Sequence, residues 1–206
     1  MVIKKIQYDS KKGWFVFEGE GRRYCISYET YLKLDLHQGD LLGEEITTLL
    51  QKEDRKNRAM DLGKNYALNQ PRTIREVHDR LKREKLPEEA IQETLGWLTG
   101  RGYLNDRVYA EKYAREKSTF HLWSKRKIGL KLREKGLSPE DIRDALEKIS
   151  EDGEKENLMK VLKKNYGKRD LKDPRDFQRV YQGMIRRGFS SSEVLSVMKK
   201  MAEEGL

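Results

Sequence analysis

The sequence predicts a mainly α chain: three tandem three-helix, helix-turn-helix-like repeats behind a small N-terminal β-containing module. Three observations predict it. The chain repeats one pattern at a spacing of about fifty residues. Leu81–Leu86, Pro87-Glu88-Glu89-Ala90-Ile91 and Leu95 return as Leu132–Leu137, Ser138-Pro139-Glu140-Asp141-Ile142 and Leu146. A weaker copy runs Met184–Phe189, Ser190–Val194 and Met198. Apolar residues make up 36% of the 206 and charged residues 38%, which favours several small cores over one large core. Finally, a period-two pattern of aromatic and β-branched residues is confined to residues 2–28.

In chain order, Ile3, Ile6 and Tyr8 open a first strand, Asp9–Gly13 is a turn, and Trp14–Phe17 forms a second strand. Glu18–Gly21 turns again, and Tyr24, Ile26 and Tyr28 alternate along a third. Glu29–Leu34 reads as a short helix, Leu36–Leu42 as a loop, and Glu44–Lys56 as the last helix of this module. Cys25, the single cysteine, excludes an internal disulfide and fits a reducing compartment.

Repeat one opens with a helix carrying Ala59, Leu62 and Tyr66. A second helix starts at Thr73, with Glu76 completing a capping box, and carries Ile74, Val77 and Leu81. A third starts at Pro87 and carries Ile91, Leu95 and Leu98. Repeat two places Ala110, Tyr113 and Ala114, then Ser124 as cap with Ile128 and Leu132, then Ile142, Leu146 and Ile149. Repeat three places Leu158, Val161 and Leu162, then Asp176 as cap with Val180 and Met184, then Val194, Met198 and Met201. Ser190–Ser192 reads as a further cap. The expected boundaries are 1–54, 55–105, 106–150 and 151–206.

Net charge is +9, and residues 1–50 contribute none of the excess, with seven Lys/Arg against eight Asp/Glu. The excess gathers on the second helix of each repeat: Arg75, Arg80 and Arg83; Lys125, Arg126, Lys127 and Lys131; Arg179, Arg186 and Arg187. Cations at the end of a helix complement its dipole, which accounts for Lys85, Arg133, Lys135, Arg186 and Arg187. Lys125-Arg126-Lys127 stand at a helix start, where the dipole opposes them. This cluster points to an anionic partner, and repeated cationic sites suit a repeating anion. Trp123, beside Phe120 and His121, reads as a hydrophobic staple or an exposed contact.

Other chemistry has no foothold. There is no Gly-rich phosphate loop, and His37, His78 and His121 are isolated, without a metal-ligand set. His78 reads as a partly buried residue beside the apolar stripe. The sequence gives no catalytic residues, metal or cofactor, so an enzyme is not expected. No apolar run approaches the length of a membrane span, and no signal peptide opens the chain. A cytoplasmic monomer is the expectation.

Leu98-Thr99-Gly100-Arg101-Gly102-Tyr103-Leu104-Asn105-Asp106-Arg107-Val108-Tyr109-Ala110 resembles the GYLDD-x-x-[FY]-A signature of the RecX family. Lys127-Ile128, Leu132 and Lys135-Gly136-Leu137 resemble the family's next block, and Arg186-Arg187-Gly188-Phe189 its closing R-G-[FY]. Asn105 replaces an Asp, Lys131 stands where Glu is frequent, and Ser124 where Gly is usual. The likeness covers about residues 55–206. It implies an elongated, curved array of repeats that lies in the groove of the RecA–single-stranded DNA filament. There the family restrains RecA ATP hydrolysis, strand exchange and filament growth, within the SOS response and DNA repair. The implied partners are RecA, the single strand within the filament, and duplex DNA. The alternative is an autonomous basic helical-repeat DNA-binding protein.

Overall fold

The computed structural model describes residues 1–167 and 169–204; residues 205 and 206, at the end of the expected third repeat, lie outside the described residues. The chain forms two compact units, residues 1–104 and 105–206. No helix of the described residues is long and apolar enough to cross a membrane.

The first unit begins with an antiparallel sheet in the order β1–β2–β3, formed by β1 (Lys5–Asp9), β2 (Trp14–Gly19) and β3 (Arg22–Ser27). The first turn closes because the Asp9 carboxylate accepts the N–H groups of Lys11 and Lys12 at 3.1 and 3.2 Å. Such local bonding is why Asp favours turns. Tyr8 lies opposite Phe15, and Phe17 opposite Tyr24. Phe17 and Ile26 are fully buried, and Ile3 nearly so, in a core shared with Leu50. Tyr28, expected at the end of the third strand, opens α1 (Tyr28–Leu34) instead. The Ser27 hydroxyl accepts the Thr30 N–H, and this cap ends the strand one residue earlier.

The largest departure from expectation is α2 (Glu44–Asn69). The last helix of the β module and the first helix of repeat one are a single 26-residue helix, and the boundary expected at residue 54 falls inside it. No proline or glycine lies between Glu44 and Arg58, so nothing in the chain stops the helix at Lys56. Its first half closes on the sheet through Leu50, and the Asp54 carboxylate accepts the Cys25 N–H at 2.9 Å. Burial, with help from Asp54, pushes the Cys25 thiol up from its usual range, so it stays protonated and unreactive.

The second half of α2 packs on α3 (Ile74–Arg83) and α4 (Glu88–Gly100). Ala59, Val77, Leu81, Ile91, Leu95 and Leu98 form the buried core, with Leu62, Tyr66 and Ile74 at its edge. Gly63 lets α2 approach α4 closely, since a Cβ there would lie 2.6 Å from Thr94 Cγ2. The capping box holds: the Thr73 hydroxyl accepts the Glu76 N–H at 3.1 Å, and Glu76 accepts the Thr73 N–H at 3.0 Å. His78 is mostly buried beside this core and sits between Asp79 and Glu88.

In the second unit, α5 (Asp106–Thr119), α6 (Lys125–Glu134) and α7 (Pro139–Glu147) enclose Ala110, Ala114, Ile128, Leu132 and Ile142. Helices α8 (Glu151–Tyr166), α9 (Pro174–Arg186) and α10 (Ser191–Glu204) enclose Leu158, Val161, Leu162, Val180, Met184, Val194, Met198 and Met201. Every apolar position expected of repeat three is therefore buried. Ser190 caps α10, its hydroxyl accepting the Glu193 N–H at 3.3 Å. One cap is corrected. Asp173, not Asp176, caps α9, its carboxylate accepting the Asp176 N–H at 2.9 Å. Pro174 takes the first helical position, where its missing N–H costs nothing, and this starts the helix earlier than the repeat spacing suggests.

Candidate functional site

With Asp173 as the cap, the third residue after each cap falls on Glu76, Lys127 and Asp176. An acid at this position stabilises a helix start by reciprocal capping and by its charge against the dipole. The second repeat alone places a lysine there. The Ser124 hydroxyl still accepts the Lys127 N–H at 3.2 Å, but the returning carboxylate is missing. Another helix supplies one. Glu154 of α8 accepts the Lys125 N–H at 2.8 Å, so a carboxylate from the third repeat sits at the N-terminus of α6. It answers the Lys125 N–H and faces the Lys125 charge, whereas Lys127 feels only the cations Arg187 and Lys131.

Glu154 carries a cost in that position. Burial pushes its carboxyl up from the usual carboxylate range and nearby Glu193 adds to this, while the Lys125 N–H offsets part of it. A folded-state value above the unfolded one means that acidification favours the folded state. The contribution is full below the unfolded value and is lost as pH rises through the folded one. Glu154→Gln keeps an acceptor for Lys125 and removes this titration. Glu154→Ala removes the acceptor and should cost about 1 kcal/mol, as loss of a cap does. Thermal denaturation across the acid range should therefore show a pH-dependent gap between wild type and Glu154→Gln, and a constant deficit for Glu154→Ala relative to Glu154→Gln.

The second and third repeats meet along a polar seam beside these groups. The fully buried Ser124 donates its hydroxyl to the Arg187 carbonyl at 3.0 Å. Asn157 donates to the Ser118 carbonyl and hydroxyl, both at 3.0 Å. Gly188, at φ +88°, lies against Ser124 and Lys127. The seam sets Arg187 beside Lys127.

Around it the second unit gathers cations over aromatic rings. Lys127 Nζ lies 4.1 Å from the centre of the Trp123 ring. Lys117 stands over Tyr113 and Trp123, and Lys135 over Tyr109 and Tyr113, at 5.3 to 5.9 Å. Tyr109 and Tyr113 stack at 6.0 Å, and Tyr113 meets Trp123 edge-on at 6.5 Å. Cation–ring attraction steadies each contact. Lys117 also pairs with Glu116, and Lys131 with Glu134. Burial, then repulsion from Arg187 and Lys131, holds the Lys127 ammonium below the usual lysine range.

The sequence-predicted cations separate into two kinds. In the first unit they are answered locally: Arg75 lies 3.8 Å from Asp79, Arg80 pairs with Glu84, and Arg83 donates to the Asp79 carbonyl. In the second unit, Lys127, Lys131 and Arg187 come together. Lys125 and Arg126 diverge from them, because successive residues turn by about 100° on a helix and cannot share a face. Arg179 and Arg186, seven residues apart, lie on one exposed stripe of α9. The second unit also holds most of the excess charge, with 25 Lys/Arg against 18 Asp/Glu, where residues 1–104 have 19 against 17.

Lys117, Tyr109 and Tyr113 belong to this face but carry no signal as single residues; Tyr113 reads from the sequence as core alone. Trp123 fills both roles expected of it, packing half-buried at the edge of the α5–α7 core and presenting its ring to Lys127. Glu154 lies 29 residues from its partner, and no local pattern marks it.

Comparison with known proteins places this unit and the whole chain among similar sequences. A family described as RecX, second three-helix domain, matches residues 105–146. The chain is 27% identical over 192 residues to "Regulatory protein RecX" of Listeria welshimeri, covering 90% of this chain and 70% of that one. It is 28% identical over 192 residues to the protein of the same name from Limosilactobacillus reuteri, covering 92% and 73%. A crystal structure of regulatory protein RecX aligns with a TM-score of 0.74 at 28% identity, over 97% of this chain and 98% of that one.

Proposed function

Since the chain belongs to the RecX family, we propose that it regulates the RecA recombinase by binding the RecA–single-stranded DNA filament in its groove. In this reading it restrains RecA ATP hydrolysis, strand exchange and filament growth. It acts in the cytoplasm as a monomer and contributes binding rather than chemistry of its own. The partner-facing residues are drawn from Arg75, Arg80, Arg83, Lys125, Arg126, Lys127, Lys131, Arg179, Arg186 and Arg187. Lys127 and Arg187 carry the largest share.

One observation supports this most. Lys127 occupies a position where helix stability favours an acid, as in Glu76 and Asp176, and it is crowded by Arg187 and Lys131. Local stability gives no reason for that choice, whereas a polyanionic partner does. The paired arginines of α3 have weaker support, since Asp79 and Glu84 already answer two of them.

The test is RecA ATP hydrolysis on single-stranded DNA with increasing amounts of the protein. Hydrolysis should fall as the protein is added. Unchanged hydrolysis at protein in excess over RecA would overturn the reading. Equal binding to bare DNA and to filament, with no effect on hydrolysis, would favour the autonomous DNA-binding alternative.

A further inference from the structure

The three-stranded sheet has two edges, and the chain closes only one of them. Along β3 the Asp54 carboxylate accepts the Cys25 N–H at 2.9 Å, and the Asn57 amide donates to the Cys25 carbonyl at 3.0 Å. Helix α2 therefore answers that edge with side chains. At the other edge the loop before α2 covers only the first residues. Ile3 donates its N–H to the Asp40 carbonyl at 3.0 Å, and its carbonyl accepts the Gly39 N–H at 2.9 Å. Beyond them β1 is the outer strand, and among the described residues no backbone group outside the sheet pairs with Lys5–Tyr8. Alternate residues of an antiparallel strand turn their N–H and C=O away from the neighbour, so this stretch holds unused donors and acceptors. An edge of that kind is a template for another extended chain.

The side chains along this edge decide which chain fits. Tyr8 packs against Phe15 with 5.0 Å between ring centres and meets Tyr28 edge-on at 6.4 Å. Phe15 in turn stacks on Tyr31 at 3.7 Å, which fixes the rings from below. Tyr8, Tyr28 and Leu32 stay 48%, 53% and 59% exposed, and Tyr28 and Leu32 lie one turn apart on α1. Apolar surface thus adjoins open backbone. The charges are one-sided. Asp9 takes the N–H groups of Lys11 and Lys12, Glu20 takes that of Val2, and Glu18 lies 3.9 Å from Arg23. Lys4, Lys5 and Lys11 are exposed and have no ion-pair partner among the described residues. Lysines on an edge discourage pairing with a neutral or basic strand, and they admit an acidic one.

We propose that β1 is a docking edge for an extended acidic peptide of a partner protein, which adds as a fourth strand beside Lys5–Tyr8. Backbone hydrogen bonds supply the sequence-independent part of the affinity, and every second side chain of the added strand turns to the face of Tyr8, Tyr28 and Leu32. The sequence that fits alternates apolar residues with acids. Its acids meet Lys4 and Lys5 at one end of the strand and Lys11 at the other. A nucleic-acid strand would answer the rings and the lysines, but it lacks the evenly spaced N–H and C=O groups that the open edge calls for. The surface belongs to the first unit and does not depend on the cations of the second. It gives the β module a task of its own, recruitment of a partner protein.

The full chain, without RecA, is titrated into the fluorescein-labelled peptide Glu-Val-Asp-Phe-Thr-Val-Glu-Val-Asp, with binding read by fluorescence anisotropy. Two further peptides carry N-methyl groups on the even-numbered or on the odd-numbered amides. A strand added to an edge uses only every second N–H, so one methylated set should lose about tenfold or more in affinity and the other should bind as the parent does. Lysine in place of each acid of the peptide should weaken binding about tenfold. Lys4→Glu with Lys5→Glu should do the same, and Leu32→Ala should cost about threefold. These variants change exposed side chains, and circular dichroism checks that the fold is kept. Equal loss from both methylated sets, or loss from neither, would overturn strand addition. Displacement of the peptide by oligodeoxythymidine, with the same response to Lys4→Glu and Lys5→Glu, would mean that the edge reads nucleic acid. A dimer in sedimentation that excludes the peptide and is dissolved by those two substitutions would mean that a second copy fills the edge.

Discussion

Gly188→Ala is expected to cost the second unit on the order of 3 kcal/mol, the largest stability loss foreseen for a single methyl group here. Two causes combine. The residue sits at φ +88°, a conformation that costs an L-residue roughly 1–2 kcal/mol. The new Cβ would lie 2.6 Å from Ser124 Oγ and 3.3 Å from Lys127 Cβ. Ser124 cannot swing aside, because its hydroxyl both accepts from the Lys127 N–H and donates to the Arg187 carbonyl. The turn must therefore lift away from α6, breaking that bond and loosening the buried Phe189 beside it. Gly102→Ala is the control. It has φ +74° with open space around it, and it should lose only the conformational part, about 1 kcal/mol. Urea denaturation of both variants measures the difference. Equal losses would mean that the seam at Ser124 does not hold the two repeats together.

Lys127→Glu with Arg187→Glu is expected to remove most of the effect on RecA hydrolysis without unfolding the protein. The charge at the face changes by four units, and at least tenfold more protein should be needed for half-inhibition. The fold should tolerate it unusually well. Glu at position 127 would restore the acid found at Glu76 and Asp176, completing a capping box with Ser124, and the repulsion now felt by Lys127 would vanish. Arg75→Gln with Arg80→Gln is the matched comparison. Those cations already face Asp79 and Glu84, so their removal should change inhibition little, and stability by no more than about 1 kcal/mol. If both pairs lose inhibition equally, the distinction drawn between answered and crowded cations fails.

Much of the helical plan was legible because each helix carries its own start signal and its own apolar stripe. Val77, Leu81, Ile128, Leu132, Val180 and Met184 sit where a helical period puts them, and all are buried. The structure departs from the helical pattern where a signal is displaced or absent. The repeat spacing pointed to Asp176 as a cap, but Pro174 makes Asp173 the better start. Nothing between Glu44 and Arg58 marks a helix end, and α2 runs through the expected boundary. The site was less legible for a physical reason. The run Lys125-Arg126-Lys127 stands out in a linear sequence, yet a helix spreads three successive residues around its circumference. The residues that gather with Lys127 come from α5, from the end of α9 and from one turn along α6, and only tertiary packing selects them. Glu154 is the clearest case: its role depends wholly on α8 lying against the start of α6.

The single rod α2 has a consequence for how the first half of the molecule responds to damage. Leu50 belongs to one apolar nucleus and Ala59 to another, with uninterrupted hydrogen-bonded backbone between them. Fraying that begins at the sheet is transmitted turn by turn into the neighbouring nucleus, and a cut near the middle of the 26-residue rod leaves two stubs of about 13 residues, each marginal as a helix on its own. The β-strands and the first helical triplet therefore melt as one.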